Sequence, residues 1–456
     1  MTTDKLTRNQ KVSIGLLSTG TFLEYFDLML YVHMAVLLNE LFFPKYDPHT
    51  TSLISAFAFC ITFVFRPVGA LLFGWIGDNI GRRVTIIITT FLMGISCFII
   101  ANLPTYAQIG ISATWIMLIC RAIQGVSSMG EAVGAVIYLR ETIHQRPTQY
   151  ATVFSIEVFC GLGSACALGF ATLITSYGLD WRLAFWLGTL VAVIGGIARG
   201  KLPETPDFVN FKKNAEKYLN QRNFTKKEKK EIMDDPLLNK DLNPKALISY
   251  FFIDLALPLF FFITYIYCGN ILKDSFGYSS NQIIQHNFII SLVLLFNYCM
   301  LTYLNYKIYP LLLAKVRLII FILFIMFLPY LLANLSSPRE LMLIQSFIVF
   351  FIPTSACGGA IFFSYIPLAK RFTYIANIFA WARASMYIIT SFGLIYLVDY
   401  FGNNGIFIII LPVLISSYLG LEYFIKLEKK CGNYPKGWLN IPSEQENTIC
   451  NGASGK

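Results

Sequence analysis

Twelve strongly apolar runs divide this chain of 456 residues and constrain its fold more than any other feature. A helix needs about 20 apolar residues to cross the hydrocarbon core of a bilayer. The runs are continuously apolar and do not alternate with period two, so they predict helices rather than the strands of a barrel. The predicted spans lie near 14–38, 53–76, 84–103, 110–138, 152–175, 183–200, 246–268, 287–305, 312–333, 341–363, 374–398 and 405–426.

Composition supports a membrane environment. Charged residues make up 14% of the chain and hydrophobic residues 56%, whereas a soluble domain carries about 25% charged residues. The sequence therefore predicts an all-α membrane protein with twelve transmembrane helices. It contains no recognisable nucleophile–base pair, metal-ligand cluster or phosphate-binding loop, so we expect no enzyme activity, no metal and no cofactor.

The positions of the 36 Lys and Arg residues predict the orientation. The outward loops hold only Lys45, Arg182, Lys273 and Arg339, whereas the inward N-terminus and short inward loops hold twelve basic residues, Arg317 among them. By the positive-inside rule, both termini are cytoplasmic. The net charge of +10 follows from this pattern, so we expect membrane lipid, and no nucleic acid, as a partner.

A polar segment at 201–245, rich in Lys, Glu and Asn, separates two sets of six predicted spans. Such a composition is typical of a solvated cytoplasmic linker. We therefore expect a six-helix bundle at 1–200, a second bundle at 246–426 and a short cytoplasmic tail at 427–456. Transporters with two such halves bind their substrate between them, near the midplane.

Charged side chains within spans are the first candidates for function, because each costs at least ~2.5–3.5 kcal/mol at the bilayer centre. In the first span, Glu24, Asp27 and Tyr31 recur at spacings of three and four, so they share one helix face. The fourth span carries a similar polar stripe, about 15 Å long, made of Arg121, Gln124, Ser128 and Glu131.

These two stripes are suited to face each other across a polar cavity. A carboxylate beside an arginine is ionised, and it takes up a proton more readily when the arginine is drawn away. We therefore interpret Asp27, Glu131 and Glu24 as candidates for proton coupling, with Arg121 shared between carboxylate and substrate. The alternative is a static ion pair that fixes helix register.

Other side chains are candidates for substrate contact. Gln124 and Tyr31 lie on the two stripes, and the ring of Tyr25 could hold a quaternary ammonium group by cation–π contact. Arg383, in the eleventh span, would contribute from the second half. Arg66 and Asp254 have no role that the sequence resolves: Arg66 could line the cavity or reach a headgroup.

The hairpin between the second and third spans combines glycines with charged residues. Glycines permit a tight turn and close helix approach, and an aspartate there can cap a helix or pair with arginine. One interpretation is a positively charged tight loop. The other is a cytoplasmic gate made of Gly74, Asp78, Gly81, Arg82 and Arg83.

The motifs of the first half resemble a known family. The pattern Gly74-x3-Asp78-x2-Gly81-Arg82-Arg83 resembles the signature loop of the major facilitator superfamily, whose fold has two six-helix halves. Four further segments are similar to the metabolite:proton symporter family, within which proline/betaine transporters are the most similar group. They are Gly20-x3-Glu24-Tyr25-Phe26-Asp27, Arg66-Pro67-Val68-Gly69, Gln124-Gly125-x4-Gly130-Glu131 and Glu204-Thr205-Pro206-Asp207-Phe208.

The resemblance implies a multi-pass protein of the bacterial inner membrane that imports a small zwitterionic or anionic metabolite with protons. By alternating access, it would take up osmolytes such as proline or glycine betaine, driven by the proton gradient. One alternative is a proton symporter of di- or tricarboxylates, since Arg121 and Arg383 would suit a dianion. Another is a membrane sensor that does not transport, because the second-half hairpin at 302–310 lacks the Gly and Asp pattern.

Overall fold

In the computed structural model, residues 6–44, 57–220 and 242–435 are described, and they form helices with no β-strand. Within these ranges, nine helices are long and apolar enough to cross a membrane. Much of the predicted linker at 201–245 and of the predicted tail at 427–456 lies outside the described residues.

The helices α1–α6, called the first half below, cover residues 8–199. They extend a few residues beyond most of the predicted spans, because polar residues at the ends of an apolar run can continue a helix. Their bounds are α1 Arg8–Phe42, α2 Phe57–Asn79, α3 Arg82–Asn102, α4 Ile111–Thr142, α5 Thr148–Tyr177 and α6 Arg182–Arg199. Helix α7 (Pro206–Asn220) begins the predicted linker.

The helices α8–α15, called the second half, cover residues 244–430. Their bounds are α8 Pro244–Phe276, α9 Ser280–Lys307, α10 Pro310–Ile325, α11 Leu328–Ala333, α12 Pro338–Phe351, α13 Arg371–Ile388, α14 Leu394–Phe401 and α15 Ile406–Lys430. Short helical turns continue α12 as far as Tyr365, and the whole of Pro338–Tyr365 is one of the nine described helices long enough to cross a membrane. A further short turn, Leu368–Lys370, leads to α13.

Prolines and π-helical turns divide several helices of the second half. Pro329 lacks the N–H that would bond to the carbonyl of Ile325, and α10 ends at that residue. The predicted span 312–333 is therefore two helices. The π turn Ile389–Gly393 likewise separates α13 from α14 within the predicted span 374–398.

The halves pack together mainly through two pairs of helices: α5 packs along α9, and α2 packs along α13. Within the first half, α2 and α4 approach closely through glycine. An added Cβ on Gly69 would meet the backbone of Val126, and one on Gly125 would meet the backbone of Thr62. Small residues thus let the two backbones touch, as in other membrane helix pairs.

Candidate functional site

A cavity of about 670 Å³, open solvent included, lies between the halves. Both halves contribute to its lining, which is mainly apolar and aromatic. Its polar and aromatic residues are Tyr25, Phe63, Arg66, Cys160, Ser164, Phe260, Phe261, Thr264, Tyr265, Tyr298, Arg383 and Tyr387. Such a cavity, with few polar groups among many aromatic ones, has the character of a small-molecule site.

Arg383 enters this cavity from α13 and is paired with Asp254 on α8. Its Nη1 atom lies 2.6 Å from Asp254 Oδ2, and the Ser355 hydroxyl donates to Asp254 Oδ1 at 2.7 Å. The structure thus brings together two candidates that the sequence considered separately. The charge of Arg383 is balanced by a carboxylate of the protein itself.

Arg66 lines the cavity from the first half and is paired with Glu24. Its Nη2 atom lies 3.5 Å from Glu24 Oε1. Among the described residues, Glu24 Oε2 and Arg66 Nε have no hydrogen-bond partner, although both atoms are buried. Buried polar atoms are nearly always satisfied, so this pair is incompletely bonded.

Asp27, Arg121 and Gln124 form a closed cluster between α1 and α4. Arg121 Nη1 lies 3.1 Å from Asp27 Oδ2, and Gln124 Nε2 donates to Asp27 Oδ1 at 2.8 Å. The Arg121 guanidinium lies 3.9 Å from the ring centroid of Tyr31. Parts of the two stripes thus face each other, but in direct contact rather than across the predicted polar cavity. None of these four residues lines the cavity between the halves.

Glu131 lies in a second closed cluster, whose cation the sequence interpretation missed. Arg199 Nη1 lies 2.7 Å from Glu131 Oε2, and the hydroxyl of Thr90 donates to Glu131. Arg199 also donates to the carbonyls of Leu16 and Leu17 at 2.8 and 2.9 Å. Arg199 stands at the end of an apolar run, where a basic residue usually faces water, so no local signal indicated its partner.

Asp78, near the end of α2, bonds to the start of α13 in the opposite half. The end of the bundle where α2 ends and α13 begins is called the hairpin end below. The Asp78 carboxylate accepts hydrogen bonds from the backbone N–H groups of Phe372 (3.1 Å) and Thr373 (2.9 Å). A carboxylate is favoured at a helix N-terminus by the macrodipole. Asp78 therefore caps a helix of the opposite half, rather than α3, which follows it in the chain.

Gly74 and Gly77 make this approach possible. A Cβ on Gly74 would lie 2.8 Å from Thr373 Cα, and one on Gly77 would lie 2.6 Å from the ring of Phe372. Gly81 has φ of 153°, and a side chain there would collide with the carboxylate of Glu204. These three glycines are thus required by close contacts at the hairpin end.

Arg82 and Glu141 form the centre of a charged network at the hairpin end. Arg82 Nε lies 3.2 Å from Glu141 Oε2, and Arg82 Nη2 donates to the Leu368 carbonyl of the opposite half at 3.0 Å. Glu141 also lies 3.3 Å from Arg371 Nη1. The sequence interpretation identified Arg82 but missed Glu141, which lay among polar residues at the end of its span.

The segment after α6 completes this network. Glu204 accepts a hydrogen bond from the backbone N–H of Arg82 at 3.1 Å, and Thr205 Oγ1 donates to Glu141 Oε2 at 2.7 Å. The Arg83 side chain donates to the carbonyl of Gly200. All five predicted gate residues therefore lie at the hairpin end, and Gly74, Asp78 and Arg82 contact the opposite half directly.

The second-half hairpin at 302–310 is held by tyrosine hydroxyls rather than by an Asp and Arg network. The hydroxyl of Tyr309, which precedes α10, donates to Glu428, and the Tyr365 hydroxyl donates to the same carboxylate at 2.5 Å. The Tyr309 ring also packs edge-on against Tyr150 of the first half, with 6.1 Å between centroids. Tyrosines thus occupy the place where the first half has its Asp and Arg network.

The family model and the similar curated proteins all describe transporters. The profile of the family described as "Sugar (and other) transporter" matches residues 13–367. A proline/betaine transporter from Salmonella typhimurium is 34% identical over 198 residues, which cover 42% of this chain and 39% of that protein. A putative metabolite transport protein from Haemophilus influenzae is 36% identical over 198 residues, or 42% and 44% of the two chains. The chain thus matches about two fifths of the length of these relatives.

Solved structures share the fold over nearly the whole chain. A major facilitator superfamily proton:xylose symporter superposes with a TM-score of 0.72 at 14% identity, covering 91% of this chain and 95% of the symporter. A human organic anion transporter superposes with a TM-score of 0.65 at 15% identity, covering 90% and 99%. At this level of identity the likeness concerns the fold alone.

Proposed function

This chain belongs to the sugar (and other) transporter family of the major facilitator superfamily, and we propose that it is a proton-coupled symporter of the bacterial inner membrane. It would import a small zwitterionic osmolyte such as proline or glycine betaine. Relatives named as proline/betaine and inner membrane metabolite transporters support this choice. The activity is transport, driven by the proton gradient, and not catalysis.

We propose twelve spans with both termini in the cytoplasm. The helices α10–α11 and α13–α14 each form one span that is broken in the middle. The hairpin end is then cytoplasmic, in agreement with its Arg82, Arg83, Arg140 and Arg371. Broken helices near the midplane are common at the binding sites of secondary transporters.

The charges of the cavity favour a zwitterion over a dianion. Arg66 and Arg383 each have a carboxylate partner, so neither arginine of the lining contributes an unbalanced positive charge. This pairing, on a mainly aromatic lining, is the single observation that carries the choice of substrate class. A zwitterion can displace one carboxylate from arginine with its own carboxylate, and its ammonium group can rest on the rings of Tyr25 and Tyr387.

For the proton, Glu24 is the best supported of the three candidates. It pairs with a cavity arginine over 3.5 Å and has one unsatisfied oxygen, so a substrate that draws Arg66 away leaves Glu24 without a counter-charge and favours its protonation. Asp27 is fully bonded to Arg121 and Gln124 and remains a second candidate, able to respond if α1 and α4 move apart. The closed pair of Glu131 and Arg199 supports a static role.

The contacts at the hairpin end would serve as the cytoplasmic gate of an alternating-access cycle. Asp78, Arg82, Glu141 and Arg371 hold the halves together there, and opening to the cytoplasm must break these bonds. An inward proton contributes about 2.3 kcal/mol per 100 mV of membrane potential. That is comparable with the loss of one or two charge-assisted hydrogen bonds.

Uptake into proteoliposomes tests this function. Radiolabelled proline and glycine betaine are offered with and without an inward proton gradient. The proposal expects accumulation above equilibrium that a protonophore abolishes. Accumulation of succinate or citrate instead would establish the carboxylate symporter, and specific binding of betaine without flux would establish the non-transporting sensor.

A further inference from the structure

Arg317 is a buried arginine in the second half that has no carboxylate partner among the described residues. It lies on α10 and is 5% exposed. The positive-inside tally counted it with the short inward loops, although the predicted span 312–333 contains it, and the structure buries it within the helix bundle. Among the described residues, each other arginine in the buried class has a carboxylate oxygen within 3.5 Å; these are Arg66, Arg82, Arg121, Arg199, Arg371 and Arg383.

The protein groups around Arg317 are neutral. Its Nη2 atom donates to the Phe350 carbonyl at 2.5 Å, and its Nη1 atom donates to Asn297 Oδ1 at 3.4 Å. The titratable groups that act on it are the thiol of Cys357 and the phenol of Tyr298. Arginine remains protonated in proteins and offers five N–H donors, and only these two hydrogen bonds to Arg317 occur among the described residues.

The C-terminus of α12 compensates only part of the charge. Phe350 belongs to the last turn of α12, where the helix dipole contributes roughly half a negative charge. An isolated ion in a membrane interior is costly unless it is paired and hydrogen-bonded. A full counter-charge is therefore missing around Arg317.

A separate, small cavity lies beside Arg317. Its polar lining is Arg317, Thr354, Cys357 and Ser417, and the rest is apolar. No acidic residue lines it. It is distinct from the cavity between the halves, since the two share no lining residue.

The first half shows how a carboxylate completes a similar position. Thr90 is the ninth residue of α3 and Arg317 is the eighth residue of α10, so both lie about two turns beyond their hairpins. Around Thr90 the cation Arg199 is neutralised by Glu131. Around Arg317 the neighbouring side chains include the uncharged Asn297 and Cys357.

We propose that Arg317 and this second cavity bind an oxyanion, a phosphate or carboxylate group, as the missing counter-charge. The planar guanidinium suits a bidentate oxyanion. The source is either a free anion or the phosphate of an anionic lipid. The site is structural or regulatory and does not depend on the substrate proposed above.

Thermal unfolding of the purified full chain tests the site. One arm titrates inorganic phosphate against chloride at constant ionic strength in lipid-free detergent. The other compares nanodiscs of phosphatidylglycerol with nanodiscs of phosphatidylcholine. We expect phosphate, phosphatidylglycerol or both to raise the unfolding midpoint by about 3 °C at saturation. A response to phosphate alone identifies a free anion, and a response to phosphatidylglycerol alone identifies a lipid headgroup.

Two variants attribute the response to Arg317. Arg317→Gln should abolish it, whereas Arg182→Gln, at a partly exposed arginine paired with Asp180, should retain it. Cys357→Glu would supply the carboxylate internally, so it should abolish the response and raise the midpoint without ligand. The proposal is overturned if neither anion stabilises the wild-type protein, or if Arg317→Gln or Cys357→Glu responds as the wild type does.

Discussion

Glu24 and Arg66 form the longest of the buried ion pairs in the described part of the chain, with 3.5 Å between Oε1 and Nη2. The pair is also the one in which both partners keep an unsatisfied buried atom, Glu24 Oε2 and Arg66 Nε. Arg66 lines the cavity between the halves. A ligand in that cavity can therefore reach Arg66, whose ion pair with Glu24 is long and weak.

Glu24→Gln should uncouple uptake from the proton gradient. The amide cannot release a proton but keeps the size of the side chain, so substrate should still equilibrate across the membrane. We expect the accumulation ratio at 100 mV to fall by up to about fiftyfold, the equivalent of 2.3 kcal/mol. Radiolabelled betaine in proteoliposomes measures it, and unchanged concentrative uptake would exclude Glu24 as the coupling residue.

Glu131→Gln should lower stability rather than coupling. It leaves Arg199 buried without a counter-charge, which typically costs about 3–5 kcal/mol. The unfolding midpoint in detergent measures this loss, and replacing Arg199 by Gln as well should recover part of it. If the Glu131→Gln protein is as stable as the wild type but its uptake no longer depends on the proton gradient, Glu131 takes part in proton coupling.

Asp78→Asn should weaken the closed hairpin end. The carboxylate accepts two backbone hydrogen bonds from α13, and bonds to charged groups contribute about 1.5–3 kcal/mol each. Hydrogen exchange at the amides of Phe372 and Thr373 should therefore accelerate by about tenfold or more. Asn79→Asp, at the exposed neighbour, is the matched control, and equal exchange in both variants would contradict the role of Asp78.

Gly74→Ala should separate α2 from α13. The new Cβ would lie 2.8 Å from Thr373 Cα, a backbone atom that cannot rotate away, and overpacking of this kind costs about 1–3 kcal/mol. We expect uptake to fall by about tenfold, since closure of this end is part of the cycle. Gly15→Ala, where nothing lies within 4 Å, should transport normally. Equal uptake by both variants would show that the contact is dispensable.

Asp254→Asn should change the preferred charge of the ligand. Arg383 would lose its partner at 2.6 Å, and the cavity would gain one net positive charge. Succinate should then inhibit betaine uptake about tenfold more strongly than in the wild type, a difference of about 1.4 kcal/mol. If the inhibition constants of the two proteins agree, Arg383 does not face the substrate.

The sequence predicted which candidate residues share a helix face or a hairpin, because periodicity and motif spacing are local. Glu24, Asp27, Arg121 and Gln124 lie three or four residues apart on their own helices, so a shared face followed directly. The gate residues from Gly74 to Arg83 fell within one hairpin. Partners such as Arg199, Glu141 and Thr373 lie far away in the chain, and no local pattern connects them to Glu131, Arg82 or Asp78.

Hydropathy and charge determined the class of the protein, since the free energy of placing each residue in lipid or water depends mainly on its own side chain. Which charges pair was decided only by tertiary structure, because an ion pair depends on two atoms meeting within a few ångströms after the helices pack. Packing therefore placed Asp27 and Arg121 away from the cavity and Arg66 and Arg383 on it. It also buried Arg317, which the positive-inside tally counted with the short inward loops, beside a cavity without a carboxylate.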